Sequence, residues 1–222
     1  MSRTVLITGA NRGIGLALTQ QYLVQGDTVY AVCRKASGEL SILESVNIIE
    51  GIDVSKDEDL LSLKKSLLGV QLDIVINNAG IMSEETLGHM DFSAVAHQFL
   101  VNAMGPLKTT QALLTNLKAG SKVAIITSRM GSIGDNGSGG WYGYRMSKSA
   151  VNAAAVSLAQ DLKPRGISVQ LLHPGFVQTD LVAQQGDVTA THAASNLVSR
   201  INELTLESSG SLIHANGEAL PW

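Results

Sequence analysis

Apolar and polar positions fall along this chain in blocks rather than in strict alternation. Short, β-branched apolar runs stand at TVLIT (4–8), DTVYAV (27–32), VNIIEG (46–51), LDIVIN (72–77), KVAIIT (122–127) and ISVQLLH (167–173), with a weaker one at SLIHA (211–215). Each is nearly continuous, as a strand buried on both faces should be. Between them the pattern predicts helices over 13–25, 56–67, 91–118, 147–163 and 190–206. Repeated strand–helix alternation predicts an α/β fold: a doubly wound parallel sheet of about seven strands with helices on both faces. The glycine-rich GSIGDNGSGG (131–140) is a loop within this pattern, which resumes directly after it. At 222 residues the chain is expected to form one domain.

Composition narrows the function classes. Hydrophobic residues make up 45% and charged residues 16%, with a net charge of −3, so the expectation is a compact globule without a basic footprint for nucleic acid. The opening MSRTVLITGANRG enters a glycine turn rather than a cleavage site, and no run is long enough to span a bilayer. A single cysteine, Cys33, cannot form an internal disulfide, which points to a reducing cytoplasm. His89, His97, His173, His192 and His214 show no metal-ligand spacing, so no catalytic metal is expected.

The chemistry-bearing motifs sit where the predicted strands end. TGANRGIG (8–15) follows the first strand and opens the first helix, with Gly9, Gly13 and Gly15 spaced G-x-x-x-G-x-G. Glycine permits a tight turn and close backbone approach, and a helix N-terminus offers unpaired N–H groups to a pyrophosphate. Asn11, Arg12 and Ile14 lie within the same loop. IDV (52–54) ends the third strand with Asp53 and Val54, and NNAG (77–80) ends the fourth with Asn78, Ala79 and Gly80. Open parallel sheets bind ligands at these carboxyl ends. Asp53 taken alone is more often a cap for the helix that follows. Further on, GYRMSK sets Tyr144 four residues before Lys148, neighbours on one helix face. Tyr142 is a rival phenol, but Met146 stands four residues after it.

With these residues together, the sequence resembles the short-chain dehydrogenase/reductase family over essentially its whole length, most closely its C-factor and sniffer type of carbonyl reductase. TGANRGIG matches the family's cofactor loop, NNAG its fourth-strand signature and YRMSK its Tyr-x-x-x-Lys. HPGFVQTD (173–180), with Pro174, Gly175, Val177 and Thr179, resembles its cofactor-contacting segment after strand six. The resemblance implies a Rossmann-type NADP(H)-binding domain over 1–222 and a catalytic tetrad of Asn102, Ser128, Tyr144 and Lys148. Ser132 is a second candidate serine, which the S-x-x-G pattern disfavours. Ser128 lies sixteen residues before Tyr144, about three more than is usual in the family, with the surplus in the glycine-rich loop.

The implied reaction transfers a hydride between NADP(H) and a small carbonyl or alcohol substrate. A phenol ordinarily near pKa 10 needs roughly 4 kcal/mol of preference for the phenolate to reach about 7, which Lys148 and an oxidised nicotinamide could supply by charge proximity. The second strand ends in VCRK with Cys33, Arg34 and Lys35 and no carboxylate, so Arg34 and Arg12 predict preference for a 2′-phosphate. Met130, Trp141 and Tyr142 are the candidate substrate residues, and 181–192 matches a short substrate lid. Ala150, Ala153, Ala154, Ala155 and Ala159, with Ser149 and Ser157, make the helix after Tyr144 a small-residue surface, and family members commonly pair through it as homodimers or homotetramers. A cofactor-binding regulatory or signalling protein of the same fold is the competing expectation.

Overall fold

The structure is a computed structural model and describes residues 2–222. It contains nine strands: β1 (Thr4–Thr8), β2 (Thr28–Val32), β3 (Asn47–Ile49), β4 (Leu72–Asn77), β5 (Leu117–Ile126), β6 (Ser168–His173), β7 (Val177–Gln178), β8 (Val188–Thr189) and β9 (Leu212–His214). Seven form one sheet in the order β3-β2-β1-β4-β5-β6-β9, with every neighbouring pair parallel. The order reverses between β1 and β4, and there the strand ends open a crevice for a ligand.

The near-continuous apolar strands are explained by two cores. Leu6, Val75, Val123, Ile125, Val169 and Leu171 face helices α3 (Asp57–Ser66) and α6 (Tyr142–Leu162). Val5, Ile7, Ile74, Ile76, Ala124 and Leu172 face α1 (Gly13–Val24) and α7 (Ala190–Glu203). Successive strand residues point to opposite faces, so burying both requires apolar residues throughout. Lys122 of β5 caps α7 by donating to the carbonyls of Ile201 and Asn202, both at 2.8 Å.

Several boundaries differ from the sequence pattern. A short helix, α2 (Gly38–Ser41), was not expected. The helix predicted over 91–118 is broken into α4 (Phe92–Gln98), a π-helical turn (Phe99–Met104) and α5 (Gly105–Ala112). It cannot reach 118, because Asn116 turns the chain and donates to the carbonyls of Leu67 and Val70, and Leu117 already pairs with Leu72 of β4. Helix α6 begins at Tyr142, five residues before the predicted start, and so carries Tyr144 in its first turn.

After β6 the chain leaves the sheet and makes a small clasp. Val177 and Gln178 of β7 pair in parallel with Val188 and Thr189 of β8. Asp187 and Val188 also donate to the Phe176 carbonyl, at 2.7 and 3.2 Å. Among the described residues no helix is long and apolar enough to cross a membrane, and no group of three or more His, Cys, Asp or Glu is placed to hold a metal ion.

Candidate active site

The glycine loop is built by close approach of β1 to β4. Thr8 Oγ1 accepts from the Asn78 and Ala79 amides at 3.0 and 3.1 Å, while Asn78 Nδ2 donates to the carbonyls of Thr8 and Gly9. Gly9, at φ 66°, lies so near that a Cβ there would stand 2.9 Å from Ala79 Cα. A Cβ on Gly15 would collide with the Gly9 carbonyl oxygen and press on Asn78 Nδ2. The two glycines therefore serve packing of the loop against β4. Gly15→Ala is expected to lose about 1–3 kcal/mol of stability by overpacking. Gly38→Ala meets nothing within 4 Å and should stay within about 0.5 kcal/mol. Denaturant unfolding of the two variants checks the difference.

Between these loops lies a cleft of about 730 Å³. Gly9, Asn11, Arg12, Gly13, Ile14, Arg34, Asp53, Val54, Asn78, Ala79, Gly80, Tyr144, Lys148, Pro174 and Thr179 all line it. Gly15, Asn102, Ser128, Gly175 and Val177 are not among its lining residues. The sequence did not single out Ile81, His97 or Val101, which also face the cleft, while Leu181 and Gln184 face it from the expected lid. Ser37 is a further omission: its hydroxyl donates to the Asn11 carbonyl at 2.6 Å and accepts from Leu40 N, tying the segment after β2 to the glycine loop.

At the β2 end, Arg34 is exposed and lies near Asp53. Burial pushes the Asp53 carboxyl up, but hydrogen bonds from the Ser55 hydroxyl and amide, with Arg34 nearby, bring it below its ordinary value. Asp53 caps this tight turn; the residue before α3 is Lys56. Arg12 reaches across the cleft mouth to Asp180, Nη1 to Oδ2 at 3.0 Å, with both side chains 60% exposed. A pair so exposed contributes at most about 1 kcal/mol, so Arg12 can exchange Asp180 for another anion.

At the other end of the cleft stand Tyr144 and Lys148, with Asn102 and Ser128 next to them. Asn102 sits in the π turn, 1% exposed, with Oδ1 accepting from Ile81 N at 2.9 Å and Nδ2 donating to the Ile81 carbonyl and Ser147 Oγ. Single π turns often mark functional positions in helices. Lys148 is buried and donates through Nζ to the Ile126 carbonyl at 2.9 Å. A Cβ on Gly80 would lie 3.4 Å from Asn102 Oδ1 and 3.8 Å from Lys148 Nζ, so both groups converge behind Gly80. Ser128 stands two residues after β5 and accepts from Met130 N. Gly131 then packs on the Lys148 backbone, where a Cβ would come within 2.7 Å of the Lys148 carbonyl carbon. Its carbonyl accepts from Ser149 Oγ. The S-x-x-G spacing is thus the contact that docks the β5 loop on α6.

The electrostatics depart from the simple Tyr–Lys expectation. Burial pushes the Tyr144 phenol up to about 12, against a smaller opposing effect from the neighbouring Ser128 hydroxyl. Burial also lowers the Lys148 ammonium to about 8. Lys148 Nζ stands 5.7 Å from the centre of the Tyr144 ring. Desolvation therefore outweighs the attraction of lysine for a phenolate, and the phenol is protonated at neutral pH. Beside them His173, at the end of β6, is held down to about 3 by burial and packs edge-on against His214 at 4.9 Å.

Of the three candidate substrate residues, Met130 and Tyr142 line a second hollow of about 490 Å³ between the 129–140 loop and α6, with Phe99, Ile133 and Met146. Trp141 lines neither cavity and occupies the left-handed region at φ 55° immediately before α6.

Comparison with known proteins assigns this arrangement to a lineage. Residues 3–190 match the model of the family described as short chain dehydrogenase. The 1-hydroxy-2-glutathionyl-2-methyl-3-butene dehydrogenase of Rhodococcus sp. (strain AD45) is 39% identical over 225 residues, covering 99% of both chains. C-signal of Myxococcus xanthus is 42% identical over 154 residues, 68% of this chain and 93% of that one. Among solved structures, the carbonyl reductase Sniffer of D. melanogaster superposes with a TM-score of 0.93 at 28% identity, covering 100% of each chain. NADPH-bound carbonyl reductase from chicken fatty liver gives 0.90 at 27%, covering 100% of this chain and 99% of that one. With its parallel sheet, glycine loop and full-length relatives, the chain belongs to the short-chain dehydrogenase family.

Proposed function

We propose that this protein is an NADP(H)-dependent oxidoreductase that interconverts a small carbonyl compound and its alcohol, with Tyr144 as the acid–base group. The observation that carries this is the union, in one cleft, of the glycine loop with Tyr144 and Lys148. The chain's own residues fit the cofactor. Gly9 and Gly13 line the cleft where α1 begins, so that its first N–H groups suit a pyrophosphate, and Arg34 and Arg12 at the same cleft would suit a 2′-phosphate. The NADPH-bound state of the chicken carbonyl reductase supports the same choice. When bound, the cofactor supplies the hydride and, once oxidised, a positive ring near the phenol.

The roles of the protein groups follow from their surroundings. Tyr144, protonated at neutral pH, donates its proton to the carbonyl oxygen in reduction and takes it back in oxidation. Ser128 donates to the same oxygen as charge builds there. Lys148 holds the cofactor ribose and supplies positive charge beneath the phenol. Asn102, fixed between Ile81 and Ser147, keeps the π turn against Gly80 and supports a proton route by way of Lys148. Because burial opposes the phenolate, Lys148 together with a bound, oxidised cofactor would have to supply the lowering needed for oxidation. Substrate enters between Tyr144 and the segment 181–192, which acts as a short cover over one domain spanning the chain.

Turnover of aldehydes, ketones and diketones, assayed with both nicotinamide cofactors, tests this assignment. Absence of turnover with all of them would favour the second reading, a cofactor-binding signalling protein, which the identity to C-signal supports.

The assembly is proposed to be a homodimer or homotetramer. Leu100, Met104 and Leu107 form an apolar row along the broken helix at 40%, 43% and 42% exposure, and Ala153 and Ser157 expose a small-residue face on α6. Sedimentation should give a dimer or larger species, and a concentration-independent monomer across the micromolar range would rule it out. The unpaired, buried Cys33 supports a reducing cytoplasm.

A further inference from the structure

Helix α6 starts without a cap of its own. Its 21 residues follow a left-handed Trp141 whose side chain makes no capping hydrogen bond, leaving first-turn N–H groups and the positive end of the dipole facing the interior. Glu85, five residues beyond Gly80, meets them. It is 1% exposed, and its carboxylate accepts from Gly143 N at 3.0 Å, Gln98 Nε2 at 2.7 Å and Ser83 Oγ at 2.6 Å. Its backbone carbonyl accepts from Trp141 N at 2.9 Å. Among the described residues no lysine or arginine pairs with it. The buried charge is compensated by hydrogen-bond donors and the helix end.

The network ties together the three parts of the site. Ser83 and Glu85 follow Asn78–Gly80, Gln98 is the last residue before the π turn that holds Asn102, and Gly143 adjoins Tyr144. A Cβ on Gly143 would collide with Gln98 Nε2, so α6 begins directly against that amide. We propose that Glu85 is a positioning residue: its buried carboxylate fixes the start of α6, and hence where the Tyr144 phenol stands relative to Ser128, Asn102 and the cofactor cleft. Glu85 lines no part of that cleft and acts only through the helix. The inference rests on Tyr144 being the acid–base group.

The site requires a carboxylate and not merely its shape. Gly143 N and Gln98 Nε2, which face its two oxygens, can only donate, while Ser83 Oγ donates to Glu85 and itself accepts from Gln98 Nε2 at 2.7 Å. Gln98 cannot turn its own oxygen toward residue 85, because Oε1 already accepts from Ser83 N at 3.2 Å. Glu85→Gln therefore sets an NH₂ against a donor. Combining it with Gln98→Glu restores the pairing: the new amide donates to residue 98 and still accepts from Gly143. The experiment measures kcat, cofactor Kd and hydrogen exchange by mass spectrometry for wild type, Glu85→Gln and the double variant. Glu85→Gln is expected to lower kcat about 10- to 100-fold with cofactor Kd within about twofold, and to speed exchange over 138–150 alone. The double variant should recover most of both losses.

An unchanged kcat in Glu85→Gln, a loss of exchange protection spread over the chain, or a folded double variant as impaired as the single one would each overturn the proposal. If the single variant does not fold, the double variant carries the test through the same two measurements. Exchange needs no turnover. A wild type inactive on every carbonyl would therefore sink the oxidoreductase assignment, whereas unchanged exchange over 138–150 in Glu85→Gln would sink this one.

Discussion

Tyr144→Phe should lower turnover by about 10²- to 10⁴-fold, the usual contribution of a positioned acid–base group, while leaving the fold and cofactor affinity near those of the wild type. The phenol hydroxyl is the only group removed, and the ring remains packed beside Lys148 in a nearly closed environment. Because burial holds the phenol at about 12 in the cofactor-free site, the wild-type reductase reaction should persist well above neutral pH, as its acid stays protonated. Lys148→Met should behave differently. It removes a charge and the donor to the Ile126 carbonyl together with a proposed ribose contact, so turnover and cofactor affinity should fall together. Stopped-flow turnover and fluorescence titration of both variants check these outcomes. A Tyr144→Phe enzyme with near-normal rates on a good substrate would end the proposed mechanism whatever the fold.

NADPH should bind at least about tenfold more tightly than NADH, and Arg34→Ala should erase most of that difference by weakening NADPH. Losing a charge-assisted hydrogen bond costs about 1.5–3 kcal/mol, which is roughly ten- to a hundredfold in affinity. Arg34 is exposed at the cleft and makes no ion pair within 4.0 Å among the described residues. Arg12 must first leave Asp180, so Arg12→Ala should cost less than Arg34→Ala. Equal wild-type affinities for the two cofactors would sink the NADP assignment.

The sheet was legible because burial on both faces leaves a strand no polar positions, and all seven apolar runs became its strands. The glycine loop was legible for a related reason: Gly9 and Gly15 are dictated by local crowding, which shows as residue identity. What escaped was set by partners distant in sequence. The segment FLVNAM keeps a helical composition, so nothing in it announces the π turn that carries Asn102. Helix α6 starts at Tyr142 because of Glu85, 58 residues before Gly143, whereas the alanine-rich stretch begins only later. Arg12 meets Asp180 across 168 residues. The phenol's elevated pKa is a property of desolvation, which spacing between Tyr144 and Lys148 does not encode.

The clasp between β7 and β8 makes the stretch from Leu181 to Asp187 a replaceable cassette. Its two ends are already held side by side by Val177–Val188 and Gln178–Thr189, so its interior carries no duty of joining β6 to α7. Lengthening such a closed loop costs only about 0.6 kcal/mol per doubling, by loop-closure entropy. The cover of the cleft can therefore be exchanged for longer or differently charged sequences without retuning the sheet beneath it. One scaffold can in this way evolve, or be engineered, toward different small molecules through a single short insertion point.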